Sequence, residues 1–137
     1  MTPKEFFKND RFATEADIEL IEIKKGYGKA QLIVGPQHLN AGNTTQGGAL
    51  FTLADLALAA AANSHGTLAL SLTSTITFLR SSGPGDILTA EARERYTGRK
   101  TGHYQVDVTN QQGELIATFE ASVYRKRIEL PFDTENQ

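Results

Sequence analysis

His38-Leu39-Asn40-Ala41-Gly42-Asn43-Thr44-Thr45-Gln46-Gly47-Gly48, continued by Ala49 to Ala62 and closed by Asn63-Ser64-His65-Gly66, is the stretch that organises the rest of the chain. Its polar opening supplies possible helix caps at residues 43–45, and Gly66 supplies a stop. Leu50, Phe51, Leu53, Leu56 and Leu58, with alanines at 49, 54, 57 and 59–62 between them, leave no broad polar face. A helix of that composition is buried on most of its circumference. Between Gly47 and Asn63 the only ionisable residue is Asp55. Stripping water from an isolated charge is expensive, so this carboxylate must be hydrated, paired or protonated. Two readings follow. Thr52, Asp55, Ala59 and Asn63 share helical spacing and can form a narrow stripe facing solvent. Alternatively, Asp55 is a catalytic carboxylate in a dry cleft, where a perturbed pKa is expected.

Composition narrows the function classes. With 137 residues, 39% of them hydrophobic, the chain suits a single domain over 1–137. A formal charge of -2 gives no global attraction to nucleic acid or to an anionic membrane, so an anionic ligand must be met by local groups. Cysteine is absent, which removes disulfides, thiol nucleophiles and thiolate metal sites and fits a cytoplasmic location. The first ten residues mix Lys4, Glu5, Lys8 and Asp10 with Phe6 and Phe7, without the apolar run of a signal peptide.

Outward from the central stretch the pattern is β. Residues 18–24 and 29–34 are strand candidates around Gly26-Tyr27-Gly28, with Ala30, Leu32 and Val34 facing in. Beyond the helix the period becomes two, and Leu68, Leu70, Leu72, Ile76 and Phe78 define an oily face opposite Ala69, Ser71, Thr73, Thr75 and Thr77. Residues 86–96, then a strand through Tyr104, Val106 and Val108, then one from Leu115 to Val123, follow turns at 81–85, 98–100 and 110–113. Read together, these four strands form an antiparallel meander. Residues 3–9 suit a short helix behind Pro3, and residues 128–137 read as a tail that frays. The predicted class is α+β: about six antiparallel strands in one sheet curled around one long helix. Part of the alanine surface 57–62 would be left for a partner.

Asn40, Gln46-Gly47-Gly48, Leu53-Ala54-Asp55, Asn63-Ser64-His65-Gly66 and Phe78-Leu79-Arg80 occur in an order that resembles the hotdog-fold thioesterases, specifically the phenylacetic-acid-degradation (PaaI-like) branch. The likeness runs from about residue 18 to residue 125. Asn40, position 46 and Asp55 keep that family's intervals, while Gln46 replaces the histidine of its His-Gly-Gly. The resemblance implies hydrolysis of an aryl- or medium-chain acyl-coenzyme A thioester, with Asp55 as nucleophile or general base. It implies that the Gly47 N–H polarises the thioester carbonyl, that Asn40 positions water or the acyl group, and that Gln46 and Gly48 belong to the substrate loop. A hydroxyl on the following strand, from Ser71 or Thr73, would assist. An amide at position 46 can still donate and accept hydrogen bonds but cannot titrate. A non-catalytic acyl-CoA-binding or regulatory hotdog domain is the alternative, with a hotdog dehydratase behind it.

The remaining chemistry-bearing residues add less. His38, His65 and His103 lack metal-ligand spacing, and no cofactor is expected beyond the coenzyme A carried by the substrate. No G-x-S-x-G elbow is present, and Gly98-Arg99-Lys100-Thr101 lacks phosphate-loop spacing. That turn is either a solvated hairpin or a contact for the coenzyme A phosphates, shared with Arg80 and Arg125-Lys126-Arg127. Helix geometry adds a constraint of its own. Gly47 and Asp55 lie about 12 Å apart along a straight helix, too far for one carbonyl to touch both. The expected assembly is therefore a homodimer at minimum, with antiparallel helices sharing two sites, and a tetramer if such dimers pair.

Overall fold

The computed structural model describes residues 1–133. Two short helices, α1 (Pro3–Phe7) and α2 (Arg11–Glu15), precede a hairpin of β1 (Glu19–Lys24) and β2 (Tyr27–Ile33). The long helix α3 (Gly47–Asn63) follows, then β3 (Thr67–Phe78), β4 (Ile87–Thr97), β5 (Thr101–Thr109) and β6 (Leu115–Glu129). The six strands form one antiparallel sheet in the order β1-β2-β4-β5-β6-β3, and α3 touches every one of them. This is the hotdog architecture, a curved sheet wrapped around a central helix. Among the described residues no helix is long and apolar enough to cross a membrane.

Small residues set the distance between the layers. Gly28 pairs with Ala92 and Ala30 with Ala90, and all four face the helix. A Cβ placed on Gly28 would lie 2.4 Å from the Ala57 carbonyl oxygen and 2.8 Å from the Ala60 Cβ. The alanines of α3 are therefore spent on close contact with the chain's own sheet: Ala57, Ala60, Ala61 and Ala62 are all buried. Of the alanine surface 57–62, only Ala59 stays short of full burial and is left for a partner.

Three other expectations change. The strands after α3 are not a four-stranded meander, because β3 pairs with β6 at the sheet edge while β4 crosses to β2. A turn shows that a chain reverses but not which neighbour it reaches. The oily face of β3 is also broken. Between Ser71 and Thr73 the register with β6 shifts, so Ser71 lies opposite Val123 on the helix side and Thr73 opposite Ser122 on the outer side. Leu70 pairs with Tyr124 on that outer side, and Leu72 is 61% exposed. A similar shift beside Val108 buries Ile116 and leaves Leu115 exposed. A β-bulge inverts the alternation beyond it, which strict period-two reading cannot anticipate.

The termini are tied together. α1 ends at Phe7, short of residue 9, and the separate helix α2 starts behind the Asp10 cap, whose carboxylate accepts from the Ala13 N–H. The anticipated tail begins later than residue 128: β6 continues through Ile128 to Glu129, and Phe132 is buried edge-on against Phe6. The Met1 ammonium meets the Asp133 carboxylate at 2.7 Å. Residues 134–137 of the anticipated tail lie outside the described residues.

Candidate active site

α3 opens at Gly47 without a side-chain cap from Gln46. Its first backbone donors therefore receive no side-chain cap, and the helix dipole makes that end favourable for developing negative charge. The loop itself is well determined. The Asn40 Oδ1 accepts from the Gly42 and Thr44 N–H groups, and its Nδ2 donates to the Thr44 Oγ1. Buried Thr45 receives a hydrogen bond from the Ser82 hydroxyl at 2.7 Å, and its N–H donates to the Ser82 carbonyl. Gln46 folds its amide over Gly48, where a Cβ would stand 2.6 Å from the Gln46 Oε1. Phe78, half exposed, covers Gly47, and a Cβ there would meet its ring at 3.0 Å.

Asp55 lies eight residues farther along the same unbroken 17-residue helix. Gly48, Phe51, Thr52, Asp55 and Ala59 escape full burial at helical spacing, so they mark the side of α3 that the sheet does not cover. The polar stripe is thus present as far as Ala59, but Asn63 leaves it. Asn63 is buried, and its side chain accepts from the Ala69 N–H and donates to the Ala59 carbonyl, fixing the start of β3. Burial pushes the Asp55 carboxyl upward from its ordinary pKa, and the negative charge of Asp10 adds to the shift. The sequence offered no sign of Asp10 as a neighbour, since α2 was not foreseen. The packing of Phe78 on Gly47 is equally a long-range contact.

Of the candidates, Gln46, Gly47 and Gly48 lie together at the start of α3, and Asn40 organises the loop before it through Gly42 and Thr44. Ser71 is on the helix-facing side of β3 and Thr73 is not. The basic residues split. Arg80 lines the depression beside Gly47 and Phe78 and pairs with Glu114 at 2.8 Å. Arg99 and Lys100 occupy the β4–β5 turn beside Thr67, at the other end of α3. The Arg125 guanidinium lines the same recess as Arg99 and Lys100 and is hydrogen-bonded within the chain. The histidines have separate tasks. His38 is buried, with Nδ1 accepting from the Gly35 N–H and Nε2 donating to the Ala16 carbonyl. His65 contacts Glu94, and His103 contacts Ser122.

A curved antiparallel sheet wrapped around one long central helix defines the hotdog fold. The family model for the thioesterase superfamily matches residues 42–117. A protein of Archaeoglobus fulgidus is 42% identical over 125 residues, covering 91% of this chain and 81% of its own. The acyl-coenzyme A thioesterase PaaI of Escherichia coli K12 is 39% identical over 119 residues, covering 87% and 85% of the two chains. The E. coli PaaI structure superposes with a TM-score of 0.88 at 37% identity, over 91% of each chain. A Streptococcus pneumoniae thioesterase solved with coenzyme A gives a TM-score of 0.83 at 27% identity, over 90% of this chain and 99% of its own. That streptococcal protein is also known with an aspartate, and separately a threonine sixteen positions later, changed to alanine. The chain belongs to the thioesterase superfamily, in its PaaI-like hotdog branch, and is a thioester hydrolase.

Proposed function

We propose that this protein hydrolyses an aryl- or medium-chain acyl-coenzyme A to the free acid and coenzyme A, in the cytoplasm. The observation that carries the reading is the pairing, on one continuous helix, of uncapped donors at Gly47 with a half-buried carboxylate at Asp55 whose pKa burial raises. The Gly47 N–H stabilises the oxyanion, and Asp55 acts as nucleophile or as general base toward water. Gln46 and Gly48 form the floor of the acyl loop, and Asn40 orients the reacting group from the same loop. Ser71 is the supporting hydroxyl rather than Thr73. It faces the helix side, and it stands sixteen residues after Asp55, the interval between the two positions altered in the streptococcal thioesterase.

Gly47 and Asp55 cannot meet on one carbonyl within a chain, so the site is shared between two copies. The molecule's surface supports this. β3 is a 12-residue edge strand whose outer border is unpaired, and exposed apolar side chains gather along it and on the open side of α3: Phe51, Leu70, Leu72, Phe78 and Leu79. A long apolar edge of this kind needs a cover. A second copy related by a two-fold axis, with the helices antiparallel, sets Gly47 of one chain toward the other chain's Asp55. It also brings Arg80 of one chain to the same end as the other chain's Arg99 and Lys100, so that all three can serve one coenzyme A. Pairing of two such dimers gives a tetramer.

The test is turnover of acyl-CoA thioesters by Asp55→Asn, expected to fall by at least about 100-fold with the fold retained. Wild-type rates in that variant would refute the assignment. Mixed dimers of Asp55→Ala with Asn40→Ala should regain measurable activity, because one of their two sites carries neither change.

A further inference from the structure

Away from the catalytic groups, a polar network lies beneath the C-terminal end of α3. The Arg125 side chain is only 9% exposed. Its Nη1 donates to the Gly98 and Thr101 carbonyls at 3.3 and 3.1 Å, and its Nη2 donates to the Tyr104 hydroxyl at 2.8 Å and the Glu94 Oε1 at 3.3 Å. Tyr104, fully buried, donates its hydroxyl hydrogen bond to the Glu94 Oε1 at 2.6 Å, and His65 reaches the same oxygen at 2.8 Å. Burial alone would push the Glu94 carboxyl up, but the hydrogen bonds from Tyr104 and His65 and the charges of His65 and Arg125 outweigh it and hold the pKa below its ordinary value. The Arg125 N–H donates to the Lys100 carbonyl at 2.7 Å, and the Gly98 N–H to the Thr101 carbonyl at the same distance. Every carbonyl that fixes the β4–β5 turn is thus held from β6 or from within the turn.

That turn carries Arg99 and Lys100, both exposed, over a recess of about 490 Å³ that Lys126, Arg127, Thr67 and Tyr124 also line. With Arg125, five of the chain's fourteen lysines and arginines line this recess, and among the described residues no acidic one does. In a chain of net charge -2 this is a local site for an anion rather than a share of a general positive surface.

We propose that Arg125 is a positioning residue for the substrate's phosphates: it clamps the Gly98–Thr101 turn so that Arg99 and Lys100 project into the recess, while its own guanidinium remains committed to carbonyls, Tyr104 and Glu94. The inference rests on the reading that Arg99 and Lys100 meet the phosphate end of coenzyme A. A guanidinium has the planar set of donors this clamp uses, and an ammonium does not. Charge alone therefore cannot replace it.

The experiment compares KM and kcat for one acyl group carried on coenzyme A and on N-acetylcysteamine, which has no phosphate. Arg125→Lys, Arg125→Gln, Tyr104→Phe and the double variant Arg99→Ala/Lys100→Ala are measured in the full-length protein. Arg125→Lys and Arg125→Gln should both raise KM for the acyl-CoA by about tenfold or more, with kcat and the N-acetylcysteamine kinetics unchanged. Tyr104→Phe, which keeps the ring and removes one partner, should shift KM the same way by less. Full rescue by Arg125→Lys would overturn the proposal in favour of simple charge attraction. Equal loss on both thioesters, in Arg125→Lys and Tyr104→Phe alike, would overturn it in favour of a general structural role. If Arg99→Ala/Lys100→Ala raises KM for acyl-CoA alone while the Arg125 and Tyr104 variants do not, the clamp is wrong and the phosphate reading stands. If the double variant leaves KM for acyl-CoA unchanged, the phosphate reading fails and the clamp falls with it.

Discussion

Asp55 illustrates the conflict between stability and chemistry at a single side chain. Burial raises its pKa in the folded state above the unfolded value, with Asp10 contributing. The folded protein then binds this proton more readily than the unfolded chain, so the group's contribution to stability falls as pH rises from the ordinary carboxylate range through the raised pKa. Asp55→Asn should therefore melt at a higher temperature than the parent near neutral pH, with the gap closing on acidification. A lower melting temperature at neutral pH would contradict this. The same electrostatics predict that Asp10→Asn moves the acid limb of the pH–rate profile to lower pH, because removing a negative neighbour makes Asp55 easier to ionise. Gln46 is the other residue where the chemistry can be read directly. Its side chain lies over Gly48 without capping α3, so an imidazole can replace it without costing the helix a hydrogen bond. Gln46→His should preserve or raise kcat, and a large loss would mean that the loop is built around the amide.

The contact between α3 and β2 is where element packing is tightest. Gly28 belongs to a strand with ordinary alternation, yet a methyl group at that position would overlap the Ala57 carbonyl, which is helix backbone and cannot rotate away. Gly28→Ala should cost roughly 1–3 kcal/mol in denaturant unfolding, the range for overpacking, and should shift α3 relative to the sheet. Because α3 carries both Gly47 and Asp55, the variant should lose activity as well as stability. Gly85 and Gly113 are different, with open space around them and a positive φ as the reason for glycine. Those two are turn residues, whereas Gly28 is a spacer between layers.

For the whole molecule, the decisive feature is the exposed border of β3. Leu72→Lys places a charge at the bulge, on a side chain that touches little of its own core. Light scattering should then report a monomer with an unchanged far-ultraviolet spectrum, and thioester turnover should vanish with the dimer that the proposed shared site requires. A fully active monomer would show that one chain suffices. The Gly28 and Leu72 variants separate two kinds of loss, one through the packing of the chain and the other through its assembly.

The sequence by itself determined the central helix, its glycine start, the isolated carboxylate and most of the strands, because each is written in local periodicity and turn chemistry. The inward sets Ala30, Leu32, Val34 and Leu88, Ala90, Ala92 are buried as alternation requires. It also fixed the spacing of Gly47 and Asp55, since a helix converts residue number directly into distance. Only the tertiary structure decided that β3 pairs with β6, that a bulge separates Ser71 from Thr73, and that most of the alanines of α3 are covered by the chain's own sheet. It likewise decided that Arg125 donates to the carbonyls of the Gly98–Thr101 turn and to Tyr104 and Glu94. Pairing partners, bulges and side-chain networks join residues far apart in the chain, and their energies depend on which surfaces meet, a quantity that no local window of sequence contains.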